Sequence, residues 1–79
     1  MNTLSATEKM TEISKIYEVE FASVSEKYNS MSLMDVTVAV REYKKQHDID
    51  YAYYTTRDMV SAIAKKQAHK KFSEKFGKF

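Results

Sequence analysis

The sequence has no cysteine, no proline and no tryptophan, and its single glycine is Gly77. The lack of cysteine excludes disulfides and thiolate metal sites as sources of stability. Because most tight turns and linkers need proline or glycine, their scarcity disfavours turn-rich β architectures and leaves no segment that resembles a linker. We therefore expect residues 1–79 to form one small domain built from helices.

The sequence also lacks long apolar runs. Residues 1–5 have neither the basic start nor the apolar stretch of a secretion signal. No apolar run approaches the roughly 20 residues that a membrane-spanning helix needs. We therefore expect a cytoplasmic protein without a transmembrane segment.

Motifs for catalysis or metal binding are missing as well. There is no glycine-rich phosphate loop or nucleophile elbow, and only His47 and His69 could serve as histidine bases. His47, Asp48 and Asp50 have the residue types of metal ligands, but neighbours at a helix end rarely point at one ion. His47 is better explained by the favourable position of an imidazole in a last helical turn. We predict no enzymatic activity, no metal and no cofactor.

Charge is distributed unevenly along the chain. Residues 1–64 carry seven Lys/Arg against ten Asp/Glu, whereas residues 65–79 carry six lysines against Glu74 alone. Eleven of the thirteen basic residues are lysine, which acts as a point charge and lacks the fork with which arginine reads base edges. Any nucleic-acid binding by the basic tail is therefore expected to have little sequence specificity.

Caps and apolar periodicity predict three helices, at about residues 5–29, 33–47 and 56–76. The first begins at a capping box formed by Ser5 and Glu8. Its apolar residues recur at spacings of three and four along one stripe: Met10, Ile13, Tyr17, Phe21, Val24, Tyr28 and Met31. Such a helix is roughly 37 Å long, so we expect it to project past its own core toward a partner, with a second copy as one candidate.

The second segment has two interpretations. Ser32 is a candidate cap, and helical spacing then connects four apolar residues: Leu33, Val36, Val40 and Tyr43. Alternating apolar residues at 36–40 and 49–53 are also typical of strands, which leaves an α-β-β-α arrangement as the alternative. Because residues 44–48 lack the glycine that tight hairpins favour, we predict a helix here.

The third helix is predicted to begin at a cap formed by Thr55 and Asp58 and to become basic and amphipathic toward its end. Its early apolar residues lie on one side of a helical wheel: Met59, Val60 and Ile63. The phenylalanines that follow lie on nearly the opposite side: Phe72, Phe76 and Phe79. Since one straight helix cannot present both sets to one core, we expect a kink near Ala68 or a separate use for the phenylalanines.

The predicted fold class is an all-α three-helix domain with a long N-terminal helix and a basic amphipathic C-terminal helix. The predicted function is that of a small accessory or regulatory protein that contacts the backbone of DNA or RNA. The candidate nucleic-acid-binding residues are the lysines of the last helix: Lys65, Lys66, Lys70, Lys71, Lys75 and Lys78.

The alternative function is a protein-binding modulator or inhibitor that acts through helix-groove or oligomer contacts, including a homodimer. Its candidate residues are aromatic: Tyr51, Tyr53, Tyr54, Phe72, Phe76 and Phe79. At a helix junction we favour core residues with solvated hydroxyls for the three tyrosines, with at least one ring exposed. The alternative is exposed rings for stacking and interfaces.

Overall fold

The computed structural model describes residues 4–77, and their regular structure is entirely helical. Helix α1 spans Ala6–Asn29, α2 spans Leu33–Gln46 and α3 spans Thr56–Phe76. The prediction of an all-α protein with three helices is confirmed. The α-β-β-α alternative is wrong, since residues 4–77 contain no strand. A capped helix satisfies the backbone groups of the second segment locally, whereas a hairpin needs a tight turn that this segment does not supply.

The predicted cap at the start of α1 is present. The Ser5 amide donates to Glu8 Oε1 over 3.1 Å, and the Glu8 amide donates to Ser5 Oγ over 3.1 Å. Hydrogen bonding to the Ser5 backbone, and then to its side chain, lowers the pKa of the Glu8 carboxyl. The capping box thus places both a hydrogen-bond acceptor and a negative charge at the positive end of the helix dipole.

Helix α2 ends in a Schellman motif. The Ile49 amide donates to the Lys44 carbonyl over 2.8 Å, and the Asp48 amide donates to the Lys45 carbonyl over 3.5 Å. Asp48 has a φ of 52°, in the left-handed region that this motif requires after a helix. The motif stops α2 and turns the chain into the segment 47–55 that leads to α3.

The core lies between α1 and α3, which pack antiparallel. Phe21 and Ser25 of α1 lie beside Thr56 and Arg57, at the start of α3. Where the helices pass, the hydroxyls of Tyr17 and Ser61 form a 2.8 Å hydrogen bond. The buried apolar side chains come almost entirely from α3: Val24, Met59, Val60, Ala64, Ala68 and Phe72.

The expected change of apolar face near Ala68 is wrong, because α3 is helical throughout and buries residues from both ends in one core. The buried positions follow every fourth residue from Val60 through Ala64 and Ala68 to Phe72. On a helix of 3.6 residues per turn, such a row is inclined to the axis, and a neighbouring helix that crosses at an angle can pack along it. Alanine at the two middle positions keeps the row narrow enough for a close approach.

Two residues of the predicted apolar patterns are exposed. The exposed fraction is 63% for Met10 and 84% for Leu33. Met10 lies near the free end of α1, and Leu33 lies in the first turn of α2, a helix with no buried residue at all. The radius of gyration is 14.8 Å, against about 12 Å for a compact domain of this length, so the molecule is elongated. None of the helices within residues 4–77 is long and apolar enough to cross a membrane.

Candidate functional site

An open groove of about 860 Å³ lies between segment 47–55 and α3. Its volume is in the range of small-ligand sites, and its lining combines aromatic, basic and small side chains. We call it the tyrosine-lysine groove. It is lined by Tyr51, Tyr53, Tyr54, Asp58, Ser61, Ala62, Lys65, Lys66 and His69.

One wall of the groove is a single side of α3. Asp58, Ser61, Lys65 and His69 follow one another at spacings of three and four, which places them on adjacent turns of the same helix face. The Ser61 hydroxyl forms a hydrogen bond with the hydroxyl of Tyr17 on α1. The α3 wall is therefore attached to α1 at Ser61, while Asp58, Lys65 and His69 are exposed to solvent.

The other wall carries the three predicted tyrosines. The Tyr54 amide donates to the Tyr51 carbonyl over 3.2 Å, which closes a turn. The Tyr54 ring stacks on the Tyr43 ring of α2, with centroids 6.2 Å apart and planes 13° apart. Tyr54 thus anchors the turn to α2, and its neighbours are left open to solvent, with exposed fractions of 61% for Tyr51 and 82% for Tyr53.

The surroundings of Tyr54 disfavour the charged form of its phenol. Burial raises the pKa of the Tyr54 phenol, and the adjacent Tyr43 and Asp58 raise it further. A neutral phenol can both donate and accept a hydrogen bond. Tyr54 therefore supports the wall as an uncharged residue at neutral pH.

The electrostatic character of the groove changes along its length. Asp58 accepts from the Thr55 amide over 2.9 Å and from the Thr55 hydroxyl over 3.0 Å, and these bonds lower the pKa of its carboxyl. Two helical turns away, about 10 Å along α3, are Lys65 and Lys66. Within residues 4–77 neither lysine forms a salt bridge. The groove thus has an acidic end and a basic end.

The other predicted lysines lie elsewhere. Lys71 Nζ is 2.6 Å from Glu20 Oε2 of α1, in a contact that couples the two long helices. Lys70 lines a separate hollow next to Lys71 and Glu74. Lys75 Nζ lies 5.2 Å from the centroid of the Phe76 ring. Of the predicted lysines that lie within residues 4–77, the structure therefore brings two into the groove, Lys65 and Lys66.

The two predicted phenylalanines that the structure describes, Phe72 and Phe76, do not form an exposed apolar face. Phe72 is 1% exposed and belongs to the core, and its ring contacts Phe76 at a centroid distance of 5.0 Å. Phe76 is half-buried. The expectation that Phe72 is available to a partner is wrong, because α1 covers the row of α3 positions that ends there. Phe79 and Lys78 lie outside the described residues.

Three residues with structural or chemical roles were missed by sequence reasoning. Asp58 was assigned only to a cap and His69 was assigned no binding role, yet both line the groove. Glu20 of α1 is the one charged side chain that is buried within residues 4–77. His69 lies four residues after Lys65 and Glu20 four residues before Val24. Since residues four apart share a helix face, these spacings could have placed His69 beside a basic candidate residue and Glu20 beside a core candidate.

The described part of the chain holds no group of three or more histidine, cysteine or acidic residues that could bind a metal ion. The fold and the groove together define a small three-helix protein with an aromatic and basic surface site. Comparison of the chain with protein-family models, curated proteins and solved structures found no match.

Proposed function

We propose that this chain is a non-enzymatic accessory protein that binds nucleic acid through the tyrosine-lysine groove. The observation that carries the proposal is the placement of Lys65 and Lys66, two lysines without salt bridges within residues 4–77, beside exposed tyrosine rings in an open groove. Lysines in this setting neutralise backbone phosphates and release the counterions bound to them. Aromatic rings next to such cations are typical of surfaces that contact nucleic acid.

The same residues argue for little sequence specificity. Base edges are read mainly by arginine, asparagine and glutamine, which form paired hydrogen bonds in the major groove of DNA. The lining contains none of these residue types, and Arg57 lines a different hollow near Phe21. Recognition therefore depends on phosphates and on the faces of bases, which all sequences share.

The proposal is tested by comparing two variants that lose the same charge from the same helix. Lys65→Gln/Lys66→Gln removes the two groove lysines, and Lys70→Gln/Lys75→Gln removes two exposed lysines outside the groove. We expect the first variant alone to lower affinity for a mixed-sequence oligonucleotide. We also expect it to reduce the slope of log affinity against log salt by about 2, one for each lost phosphate contact.

Fluorescence anisotropy with a labelled oligonucleotide, titrated at several salt concentrations, measures both quantities. Equal losses in the two variants would mean that net charge rather than the groove governs binding. Absence of binding at low salt would disprove the proposed function.

For the alternative, a protein-binding modulator, the structure favours apolar residues of α2 over the predicted phenylalanines. Leu33, Met34 and Val38 of α2 are exposed apolar side chains that a protein partner could cover. Phe72, in contrast, is committed to the core. The groove combines lysines that suit phosphates with exposed tyrosine rings that suit bases. We therefore prefer nucleic acid to a protein partner.

A further inference from the structure

We infer that the tyrosine-lysine groove is selective for single-stranded nucleic acid and that unpaired bases stack on Tyr51 and Tyr53. The inference rests on the proposed function and adds the class of ligand. It is carried by the two tyrosines, whereas the proposed function is carried by the lysines. The two can therefore be tested apart.

The tyrosine rings are presented by a turn that is fixed at both ends. On one side the Schellman motif around Asp48 stops α2, and on the other Thr55 caps α3. Between them Tyr54 is stacked on Tyr43. The rings of Tyr51 and Tyr53 are thus exposed on an ordered support, and a base that stacks on them does not have to order the backbone first.

Only an unpaired base can use these rings. In a duplex, each base face is already covered by its neighbours, so side-chain rings reach base faces only where the strand is single or the stack is broken. A duplex can contact Lys65 and Lys66 through its phosphates but leaves Tyr51 and Tyr53 in water. A single strand can contact the lysines through its phosphates and the tyrosines through its bases at the same time.

The charge pattern determines where the bases and the phosphates of the strand lie in the groove. Asp58 lies close to Tyr54 of the tyrosine wall, and its hydrogen bonds to Thr55 lower the pKa of its carboxyl, which is charged at neutral pH. A phosphate is therefore repelled from this end and attracted to the lysine end, about 10 Å away along α3. The bases accordingly lie over the tyrosines and the phosphates over Lys65 and Lys66.

The test uses three labelled DNA probes of the same length, about 12 nucleotides: a mixed-sequence single strand, its blunt duplex, and an abasic strand that keeps the phosphates but has no bases. We expect the single strand to bind more tightly than either of the others. Tyr51→Ala and Tyr53→Ala should each lower affinity for the single strand by about 5- to 100-fold and leave duplex and abasic binding unchanged.

Conservative and charge variants serve as controls. Tyr51→Phe and Tyr53→Phe keep the rings and should retain single-strand binding. Lys65→Gln/Lys66→Gln should lower the affinity for all three probes. Both tyrosines are exposed, so the alanine variants should keep the thermal unfolding curve of the parent protein. Equal affinity for all three probes, unchanged by the tyrosine variants, would overturn the inference and leave the proposed function standing. No binding to any probe would overturn both.

Discussion

Asp48 is the one residue other than glycine with a positive φ within residues 4–77. Its left-handed conformation lets α2 close with the Schellman bonds, but a side chain in this region costs roughly 1–2 kcal/mol, somewhat less for Asp or Asn. Its carboxylate also lies at the negative end of the α2 dipole. The residue therefore carries a conformational and an electrostatic cost at the same position.

We predict that Asp48→Gly raises the free energy of unfolding by about 0.5–1 kcal/mol, because glycine adopts the left-handed region without strain. Urea unfolding at neutral pH measures the change. Asp48→Asn is the matched control, since it removes the charge and keeps the side-chain shape. If asparagine stabilises as much as glycine, the cost at this position is electrostatic; if glycine has no effect, the assignment of backbone strain is wrong.

Each helix begins at a side chain that accepts a hydrogen bond from the backbone, but only two of these caps involve an ionisable partner. The carboxylates of Glu8 and Asp58 accept hydrogen bonds from the backbone amides of the capping residues of α1 and α3. Both carboxyl groups have a lowered pKa for that reason. In α2, Ser32 accepts from the Asp35 amide over 3.1 Å, a bond that contains no titrating group. The starts of α1 and α3 are therefore sensitive to acid in a way that the start of α2 is not.

A carboxyl whose pKa is lower in the folded state stabilises the fold above its unfolded pKa and loses that contribution as pH falls through the folded value. We predict that the free energy of unfolding decreases on acidification below about pH 4, in part through loss of these two caps. Asp58→Asn should make that decrease shallower, as seen in urea unfolding across the acid range. Ser32→Ala should cost about 1 kcal/mol at every pH and leave the acid dependence unchanged. A parallel acid dependence in Asp58→Asn and the parent protein would contradict this account.

The two long helices are coupled by a charged contact as well as by apolar packing. Glu20 is buried on α1, and its carboxylate accepts from Lys71 Nζ of α3 over 2.6 Å. Lys71 itself is largely exposed, so solvent screens part of the interaction. The buried partner determines what happens when the pair is broken, because a carboxylate without its cation retains the full cost of desolvation.

We predict that Lys71→Met lowers the free energy of unfolding by about 1–3 kcal/mol, whereas Glu20→Met/Lys71→Met recovers most of that loss. Urea unfolding of the two single variants and the double variant provides the coupling energy directly. Lys70→Met, at the adjacent exposed position, is the control and should be close to neutral. Additive effects of the Glu20 and Lys71 substitutions would show that the contact contributes nothing to the stability of the whole molecule.

The helical class and the starts of the helices were determined by the sequence itself. The caps at Ser5, Ser32 and Thr55 each join groups three residues apart, and such bonds form wherever the chain begins a helix. The absence of glycine between α2 and segment 49–53 likewise disfavoured a hairpin by local geometry alone. Interactions within a few residues do not depend on the rest of the fold, which is why pattern reasoning found them.

Tertiary structure alone decided which faces are buried and what the groove contains. Packing against α1 buried the row of α3 positions that ends at Phe72, and a helical wheel of one segment does not contain the neighbouring helix. The tyrosines and the lysines were predicted as separate candidate sites, more than ten positions apart in sequence, and only the structure shows that Tyr51 and Tyr53 are exposed. The two candidate sites meet because the turn after α2 folds back against α3, and long-range packing of this kind is not encoded in any local spacing.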